Sequence, residues 1–275
     1  SRSFRGLGML SDFSRLNRRM HNKAFVADNQ AAILGGRNIG DEYFDASSEV
    51  AFGDLDVLTV GPVVAEVSTS FDRFWNAPAS YPIASLLGTQ ADNQSLTALR
   101  VELDAYIEAN RDSPYVTRAG SRFAEESASG RYSFYWGKAT LLYDDPAKIG
   151  RAPDATEGHL LPQFSGIGKQ VRQELLIVSP YFIPGEAGVA WLTGLAKRGI
   201  RVTVLTNSLA ATDVGAVHSG YQRYREALLA GGVVIYELKP GAVQPAQAEN
   251  KSKGFGSSRA SLHAKSFVFD QQAVF

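Results

Sequence analysis

The same spacing of polar residues occurs twice in this chain, once near each end. Each copy has a histidine, a lysine two positions later and an aspartate seven positions after the histidine: His21, Lys23 and Asp28, then His263, Lys265 and Asp270. Each copy also opens a short apolar run of strand type, in HNKAFVAD and HAKSFVFD. A spacing that recurs at equivalent places in two strands predicts an internal duplication, with two halves of similar architecture.

Between the two copies, apolar runs of strand type alternate with helical patterns. The clearest alternation runs through ELLIVSPYF, GVAWLTGLAKRG, RVTVLTN, VGAVHSGYQRYREALLAGG and VVIYEL. Such alternation is typical of α/β folds with parallel strands. We therefore predict an α/β fold with mixed, largely parallel sheets in two halves, residues 1–135 and 136–275. Further strands are predicted at 54–60 and 139–144, and a helix at 162–174.

The composition is that of a globular protein, and its charges narrow the functional classes. The 28 basic and 28 acidic residues cancel, which argues against a dedicated nucleic-acid binder because such proteins carry a basic excess. No cysteine is present, which excludes a disulfide or a thiolate metal site. No apolar run reaches the roughly 20 residues that a membrane-spanning helix needs. Any membrane contact is therefore expected to be peripheral.

A basic segment precedes the first motif. Five arginines stand in it against a single aspartate: Arg2, Arg5, Arg15, Arg18 and Arg19. Such a segment attracts anionic lipid headgroups, and its alternative interpretation is a solvated stretch without that role.

The paired histidines and lysines suit chemistry at phosphorus. In a strand, residues two apart point to the same face, so His21 and Lys23 project together, as do His263 and Lys265. Imidazole acts as a nucleophile or as a general acid near neutral pH, and ammonium groups neutralise phosphate oxygens. One histidine attacks phosphorus while the other protonates the leaving oxygen, with no metal or cofactor required.

The other members of the pattern receive plainer interpretations. Asp28 and Asp270 stand at an odd offset from their histidines, so strand geometry does not place them beside the imidazoles, and we interpret them as supporting residues. His159 and His218 lack the repeated pattern and are interpreted as structural or surface histidines.

These residues resemble the signature of the phospholipase D superfamily. The first motif is followed by GGRN, so that the matching residues here are His21, Lys23, Asp28, Gly36 and Asn38. The sequence around the motifs is similar to that of the bacterial cardiolipin synthase C-like branch of this superfamily. The similar segments are GGRNIGDEYF, DLDVLTVGPVV, FDRFWNAPASYPI, SPYFIPG and TNSLAATDVGAVHSGYQRYREALL. The likeness covers most of the chain and is weakest around 90–135 and 239–260.

The resemblance implies a fold and a reaction. It implies two α/β/α halves related by a pseudo-twofold axis, with the active site at their junction. The implied reaction is transfer of a phosphatidyl group through a phosphohistidine, without a metal, to make cardiolipin. The implied substrates are phosphatidylglycerol, with phosphatidylethanolamine as a second candidate, and no nucleic acid is expected. The expected location is cytoplasmic, peripheral to the inner membrane.

The resemblance also assigns roles to residues. It implies that both complete motifs are catalytic, with His21 as the nucleophile and His263 as the acid. Gly36 and Asn38 are expected to contact phosphate or substrate. An aspartate seven residues before a glycine often orients the nucleophilic histidine in this superfamily, and Asp54 has that position relative to Gly61.

The chain departs from the family pattern at both ends. It begins only twenty residues ahead of the first motif, where family members have strands, and it stops at Phe275, five residues beyond Asp270. A fragment of a longer enzyme is therefore expected, without the asparagine and acidic residue that follow the second motif in the family.

Three alternative functions remain open at this point. A phospholipase D hydrolase uses the same residues with water as acceptor, and branch resemblance favours the transferase. A nuclease of the same superfamily attacks a nucleic-acid phosphodiester, and the zero net charge counts against it. A non-catalytic binding module is the third alternative, and two complete motifs argue against it.

Overall fold

The structure is a computed structural model of the chain. It describes residues 20–44, 51–86, 92–113, 115–117, 120, 125, 128–130, 134–152, 155–239 and 260–275. The arginines predicted to meet lipid headgroups, and nearly all of the predicted loop at 239–260, lie outside these residues. The chain divides into two compact units, one formed by Ser1–Phe71 with Leu141–Phe275 and the other by Asp72–Thr140. Both motifs belong to the first unit.

Ten strands and five α-helices have bounds within the described residues. The strands are β1 (Ala24–Ala27), β2 (Ala31–Gly35), β3 (Ala51–Gly53), β4 (Asp56–Val60), β5 (Glu174–Val178), β6 (Arg201–Asn207), β7 (Val234–Leu238), β8 (Ala260–Leu262), β9 (Ser266–Phe269) and β10 (Ala273–Val274). The helices are α1 (Val63–Trp75), α2 (Asn93–Ala109), α3 (Leu160–Gly168), α4 (Gly185–Lys197) and α5 (Gly215–Ala230). Short 3-10 turns lie at Asp41–Tyr43, Ile83–Ser85 and Pro146–Gly150.

The strands form three sheets, and the prediction of a mixed α/β fold is confirmed. A five-stranded sheet has the order β10-β9-β5-β6-β7. Strands β5, β6 and β7 run parallel to one another, β9 is antiparallel to β5, and β10 is antiparallel to β9. A three-stranded antiparallel sheet has the order β1-β2-β4. The third sheet is the parallel pair of β3 and β8, which joins a strand from each end of the chain.

The main core lies on the five-stranded sheet. Leu175, Val204, Leu195 and Leu228 are all fully buried, which places β5 and β6 beneath α4 and α5. These strands read as continuous apolar runs because helices of this kind cover parallel strands on their faces. The chain leaves α4 through Gly199, whose φ of +84° favours glycine.

The two motif strands end in turns of the same geometry. Asp28 and Asn29 have φ of 50° and 53°, and Asp270 and Gln271 have φ of 51° and 57°. In each turn the residue after this pair donates its backbone N–H to the last residue of the preceding strand at 2.9 Å. Short polar residues tolerate this left-handed conformation best. The repeated sequence is therefore also a repeated β-hairpin.

The surroundings of the two hairpins differ. Phe25 of β1 is 66% exposed, whereas Phe267, at the equivalent place in β9, packs against Phe164 of α3 with ring centroids 4.7 Å apart. Beneath the three-stranded sheet, Ala32 of β2 forms a small buried cluster with Val64 and Val67 of α1.

Two sequence predictions of local structure were wrong. No strand occurs at 139–144, where Leu141 N–H donates to the Glu66 carboxylate and the Asp144 carboxylate accepts from Leu160 N–H. The Leu141 N–H is therefore satisfied by a side chain and not by a strand, and the Asp144 carboxylate caps the start of α3. The helix predicted at 162–174 ends at Gly168, since Glu174 already belongs to β5.

Among the described residues, no helix is both long enough and apolar enough to cross a membrane.

Candidate active site

A pair of strands from opposite ends of the chain positions the second motif. β3 and β8 align Gly53 with Leu262. The carbonyl of Gly53 then accepts hydrogen bonds from the backbone N–H of His263 at 2.8 Å and of Ala264 at 3.0 Å. Asp54 directly follows Gly53, so this pairing places an acidic side chain from the first half beside the second histidine.

Asp54 and His263 form a buried hydrogen-bonded pair. His263 Nδ1 donates to Asp54 Oδ2 at 2.7 Å, and both side chains are almost completely buried, with 5% and 0% of their surface exposed. The bond leaves Nε2 of His263 as the ring nitrogen available for proton exchange. Asp54 was expected to orient the nucleophilic histidine, with His21 in that role. The strand pairing places the carboxylate beside His263, and which of the two histidines is the nucleophile stays a prediction.

Gly36 lies against the same carboxylate. A Cβ atom built on Gly36 would stand 2.4 Å from Asp54 Oδ1 and 2.6 Å from Oδ2, so a larger residue forces the carboxylate to move. Glycine is required at this position because the Asp54 carboxylate approaches the backbone closely. A direct contact of Gly36 with phosphate or substrate stays a prediction.

Asn207 fixes the other side of β8. Its side chain is buried at the end of β6, where Nδ2 donates to the Leu262 carbonyl at 2.9 Å and Oδ1 accepts from Leu262 N–H at 2.8 Å. The amide thus satisfies both backbone groups of Leu262, as a neighbouring strand would. The residue that precedes His263 is therefore tied to the main sheet.

Each motif lysine folds back on its own histidine in the same way. Lys23 Nζ donates to the His21 carbonyl at 2.8 Å and lies 3.2 Å from His21 Nδ1. Lys265 Nζ donates to the His263 carbonyl at 2.8 Å and lies 3.4 Å from both ring nitrogens of His263. The HxK segments precede β1 and β9, and a backbone bond holds each ammonium group beside its imidazole.

The charges of the two motifs act on each other. Burial lowers the pKa of His21, and Lys23, Lys265 and His263 lower it further by charge repulsion. Burial also lowers the pKa of Lys23, against the attraction of Asp54. The structure thus brings both motifs into one electrostatic environment, in which the neutral form of His21 is favoured.

Lys265 experiences the same environment from the opposite motif. Burial is the largest influence and lowers its pKa, while Asp54 raises the pKa and Lys23 lowers it. A site that holds two ammonium groups near each other suits an anion with several oxygens, such as a phosphodiester.

The two motif aspartates lie away from the imidazoles, at the hairpin turns. The Asp270 carboxylate accepts backbone N–H groups at the start of β5, from Arg172 at 2.9 Å, Gln173 at 2.7 Å and Glu174 at 2.9 Å. The hydrogen bonds from Glu174 and Gln173 are the main reason that the pKa of Asp270 is lowered. Asp28 is exposed, and no described residue donates a hydrogen bond to its carboxylate. Their contribution to catalysis stays a prediction.

Asn38 contacts the wall of the site. Its Nδ2 donates to the Tyr43 hydroxyl at 2.7 Å, and the Tyr43 ring meets the His263 ring edge-on with centroids 5.1 Å apart. Arg37 holds this loop in place through hydrogen bonds to the Asp56 carboxylate and the Tyr43 carbonyl. A contact between Asn38 and phosphate stays a prediction.

Sequence reasoning missed the aromatic side chains around His263. Phe52 lies 5.5 Å and Tyr181 lies 6.2 Å from the imidazole, measured between ring centroids. Tyr181 also donates its hydroxyl hydrogen to Asp213. Aromatic residues are common in protein cores, so neither their type nor their spacing distinguished them. His218 is 4% exposed with its ring against Tyr221, which agrees with the structural interpretation of that histidine.

No group of three His, Cys, Asp or Glu side chains that could hold a metal ion occurs in the described part of the chain. The groups that do meet are one exposed histidine, one buried histidine with a carboxylate partner, and two lysines. Side chains of these types suit the roles of nucleophile, proton donor and charge partner of phosphate oxygens.

Comparison with protein families and curated proteins places these residues in a wider group. A family model described as cardiolipin synthase, phospholipase D-like domain matches residues 169–275. Cardiolipin synthase C of Escherichia coli (strain K12) is 41% identical over 290 aligned positions, covering 100% of this chain and 57% of that protein. Cardiolipin synthase A of Pseudomonas syringae is 28% identical, covering 94% of this chain and 44% of that protein. The chain spans about half the length of these relatives.

Comparison with solved structures supports the fold. The crystal structure of phosphatidylserine synthase from Haemophilus influenzae matches with a TM-score of 0.52 and 15% sequence identity. The match covers 93% of this chain and 52% of that chain. At this identity the likeness concerns the fold alone.

Proposed function

The chain belongs to the phospholipase D superfamily, in its cardiolipin synthase branch, and from this we propose that it transfers a phosphatidyl group between phospholipids to form cardiolipin. The observation that carries the proposal is the meeting of two His-Lys pairs in one compact unit, with Asp54 bonded to only one of the histidines. This asymmetry gives the two imidazoles different roles.

His21 is the nucleophile. Its pKa is lowered by burial and by three nearby cationic or titratable groups, so a larger fraction carries a free lone pair at neutral pH. A ring nitrogen of His21 attacks phosphorus, and the bond from phosphorus to the headgroup oxygen breaks. The product of this step is a covalent phosphatidyl-histidine.

His263 moves the proton. Its Nδ1–H bond to Asp54 orients the ring and stabilises the imidazolium, from which Nε2 gives a proton to the leaving headgroup oxygen. In the second step Nε2 takes the proton of the acceptor hydroxyl as that oxygen attacks phosphorus. The phosphorus–nitrogen bond then breaks and His21 is restored.

Lys23 and Lys265 neutralise the non-bridging oxygens through both steps. Each ammonium group is held at 2.8 Å by the carbonyl of its own histidine, which keeps it beside the reacting centre. Phosphatidylglycerol is the proposed donor and acceptor, with phosphatidylethanolamine as a second candidate. Substrates of this kind reside in a membrane, so the site approaches it peripherally, and residues 1–135 and 136–275 supply the two halves.

Product analysis tests this proposal. Purified full-length protein is incubated with vesicles of labelled phosphatidylglycerol, with and without phosphatidylethanolamine, and the lipids are separated. Labelled cardiolipin is expected from the wild type, none from His21→Ala because the nucleophile is absent, and a rate about 10²- to 10⁴-fold lower from His263→Ala. Phosphatidic acid as the sole product would change the assignment to a hydrolase. The absence of any lipid product would refute the proposed function.

A further inference from the structure

Tyr181 and Asp213 meet beside the second motif although neither belongs to it. The Tyr181 hydroxyl donates to the Asp213 carboxylate, at 2.8 Å from Oδ2 and 3.0 Å from Oδ1. The ring of the same tyrosine lies 6.2 Å from the His263 ring and 5.8 Å from Lys265 Nζ. Tyr181 follows β5 and Asp213 follows β6, so two neighbouring strands of the main sheet bring them together.

The position of this carboxylate is not explained by phosphate binding. Asp213 is exposed, and no described lysine or arginine forms a salt bridge with it. A negative charge near Lys265 repels a phosphodiester and attracts groups that donate hydrogen bonds. Tyr181 supplies one hydrogen, whereas a carboxylate accepts about four, so acceptor capacity remains on the open side.

We propose that Tyr181 and Asp213 form the subsite for the hydroxylated headgroup of the accepting lipid. One hydroxyl of the headgroup attacks phosphorus and passes its proton to His263 Nε2, while a second hydroxyl donates to the Asp213 carboxylate. Tyr181 orients the Asp213 carboxylate by its hydrogen bond, and the contact of its ring with His263 keeps the carboxylate on the His263 side of the site. This inference rests on the proposed function.

The subsite gives a polyol an advantage over water and over simple alcohols. Water has no second hydroxyl group joined to the attacking one, so it gains no orientation from Asp213. An acceptor held at two points loses less entropy on the way to the transition state. The balance between transfer and hydrolysis therefore depends on this pair.

Two acceptors of three carbons test the inference. Full-length protein acts on phosphatidylglycerol vesicles in the presence of equal concentrations of ¹³C-glycerol and 1-propanol. Mass spectrometry then gives the ratio of ¹³C-phosphatidylglycerol to phosphatidylpropanol. Asp213→Asn is expected to lower this ratio about tenfold, because a hydrogen bond to a charged acceptor is lost. Tyr181→Phe is expected to lower it by a smaller factor.

Glu226→Gln is the matched control. Glu226 is an exposed carboxylate near the far end of α5, so this change removes the same charge from the same region of the chain. Its product ratio is expected to equal that of the wild type. Circular dichroism of each variant verifies that the fold is retained.

The outcomes separate the subsite from the proposed function. An unchanged ratio in Asp213→Asn and Tyr181→Phe overturns the subsite while the wild type continues to transfer. A fall of both alcohol products in equal proportion also overturns it and leaves the pair with a supporting role. Cardiolipin formation by the wild type without either alcohol product overturns the subsite alone. Absence of every transfer product, cardiolipin included, overturns the proposed function, and the subsite with it.

Discussion

The imidazole of His263 donates a hydrogen bond to the Asp54 carboxylate, although 209 positions separate the two residues. Asp54 follows the first motif in the sequence, whereas His263 begins the second. The contact depends on the pairing of β3 with β8, which ends at Gly53 and Leu262. In the proposed mechanism, a change that weakens this pair of residues therefore slows proton transfer and leaves the proposed nucleophile His21 in place.

Asp54→Asn tests this relationship. The amide has the size of the carboxylate but carries no charge, so it stabilises the His263 imidazolium less well. We expect kcat/KM for lipid transfer to fall about 10²- to 10⁴-fold, the usual contribution of a positioned general acid. Glu226→Gln serves as the charge-matched control. A variant with kcat/KM within twofold of the wild type would show that Asp54 does not support catalysis.

The pKa of His21 tests the proximity of the two motifs. Burial is the largest cause of its lowered pKa, and Lys265 contributes from the opposite motif. Replacing Lys265 by Met removes a positive charge that opposes protonation, so the pKa of His21 should rise towards the ordinary value. NMR titration of the imidazole, assigned with His21→Gln, measures the shift.

The control for this titration is Lys197→Met. Lys197 is exposed at the end of α4, and its removal should leave the pKa of His21 unchanged. Since the lowered pKa keeps His21 neutral, the acidic limb of the kcat/KM profile should lie below the ordinary value of about 6.5. Equal titration of His21 in the wild type and Lys265→Met would contradict the joint environment.

The two hairpin aspartates offer a matched pair. Asp270 accepts three backbone N–H groups at the start of β5, whereas no described residue donates to Asp28. Asn tolerates the positive φ at both positions, so the two variants differ mainly at Asp270, where the amide keeps one acceptor oxygen but loses the charge and the second acceptor of the hydrogen bonds. Asp270→Asn should lower the thermal unfolding midpoint clearly more than Asp28→Asn does. Equal midpoints would refute the supporting role of Asp270.

The same pair predicts a dependence on pH. Backbone hydrogen bonds lower the pKa of Asp270 in the folded state, so the carboxylate stabilises the fold fully above its unfolded pKa of about 3.9. That contribution is lost as pH falls through the lower folded pKa. The difference in midpoint between the wild type and Asp270→Asn should therefore shrink in acid. A difference that grows in acid would have the wrong sign.

Asn207 tests the support beneath the second motif. Its amide satisfies both backbone groups of Leu262 in a buried place, and Asn207→Ala leaves them without a partner. We expect the free energy of unfolding to fall by about 1–3 kcal/mol, measured by urea denaturation. The control Asn76→Ala removes an exposed hydrogen bond and should stay within about 0.5 kcal/mol. A similar small change in Asn207→Ala would exclude this support.

Local patterns were sufficient to predict most elements of the fold. The alternation from β5 to β7 follows continuous apolar runs and helical periods in the sequence, and β5 and β6 are apolar because most of their side chains are buried. The repeated spacing likewise predicted a short strand after each motif, and the structure contains these strands as β1 and β9. Residues 139–144 resemble a strand in composition, but side-chain carboxylates of Glu66 and Asp144 satisfy nearby N–H groups instead.

The partner of each site residue was harder to predict. β3 and β8 have three residues each and lie far apart in the chain, so no local pattern predicts their pairing. Without that pairing, nothing in the sequence distinguishes His21 from His263 as the partner of Asp54. Tyr181 and Asp213 were missed for the same reason, since their meeting depends on the order of strands in the main sheet.

Trapping of the covalent intermediate tests the central claim most directly. The full-length protein is mixed with phosphatidylglycerol vesicles and quenched rapidly in denaturant at neutral or higher pH, because a phosphorus–nitrogen bond is labile in acid. Peptide mapping by mass spectrometry then locates the phosphatidyl group, with His21→Ala and His263→Ala treated in parallel. We predict the adduct on His21, and its loss in His21→Ala. An adduct on His263, or cardiolipin formation without any adduct, would contradict the account.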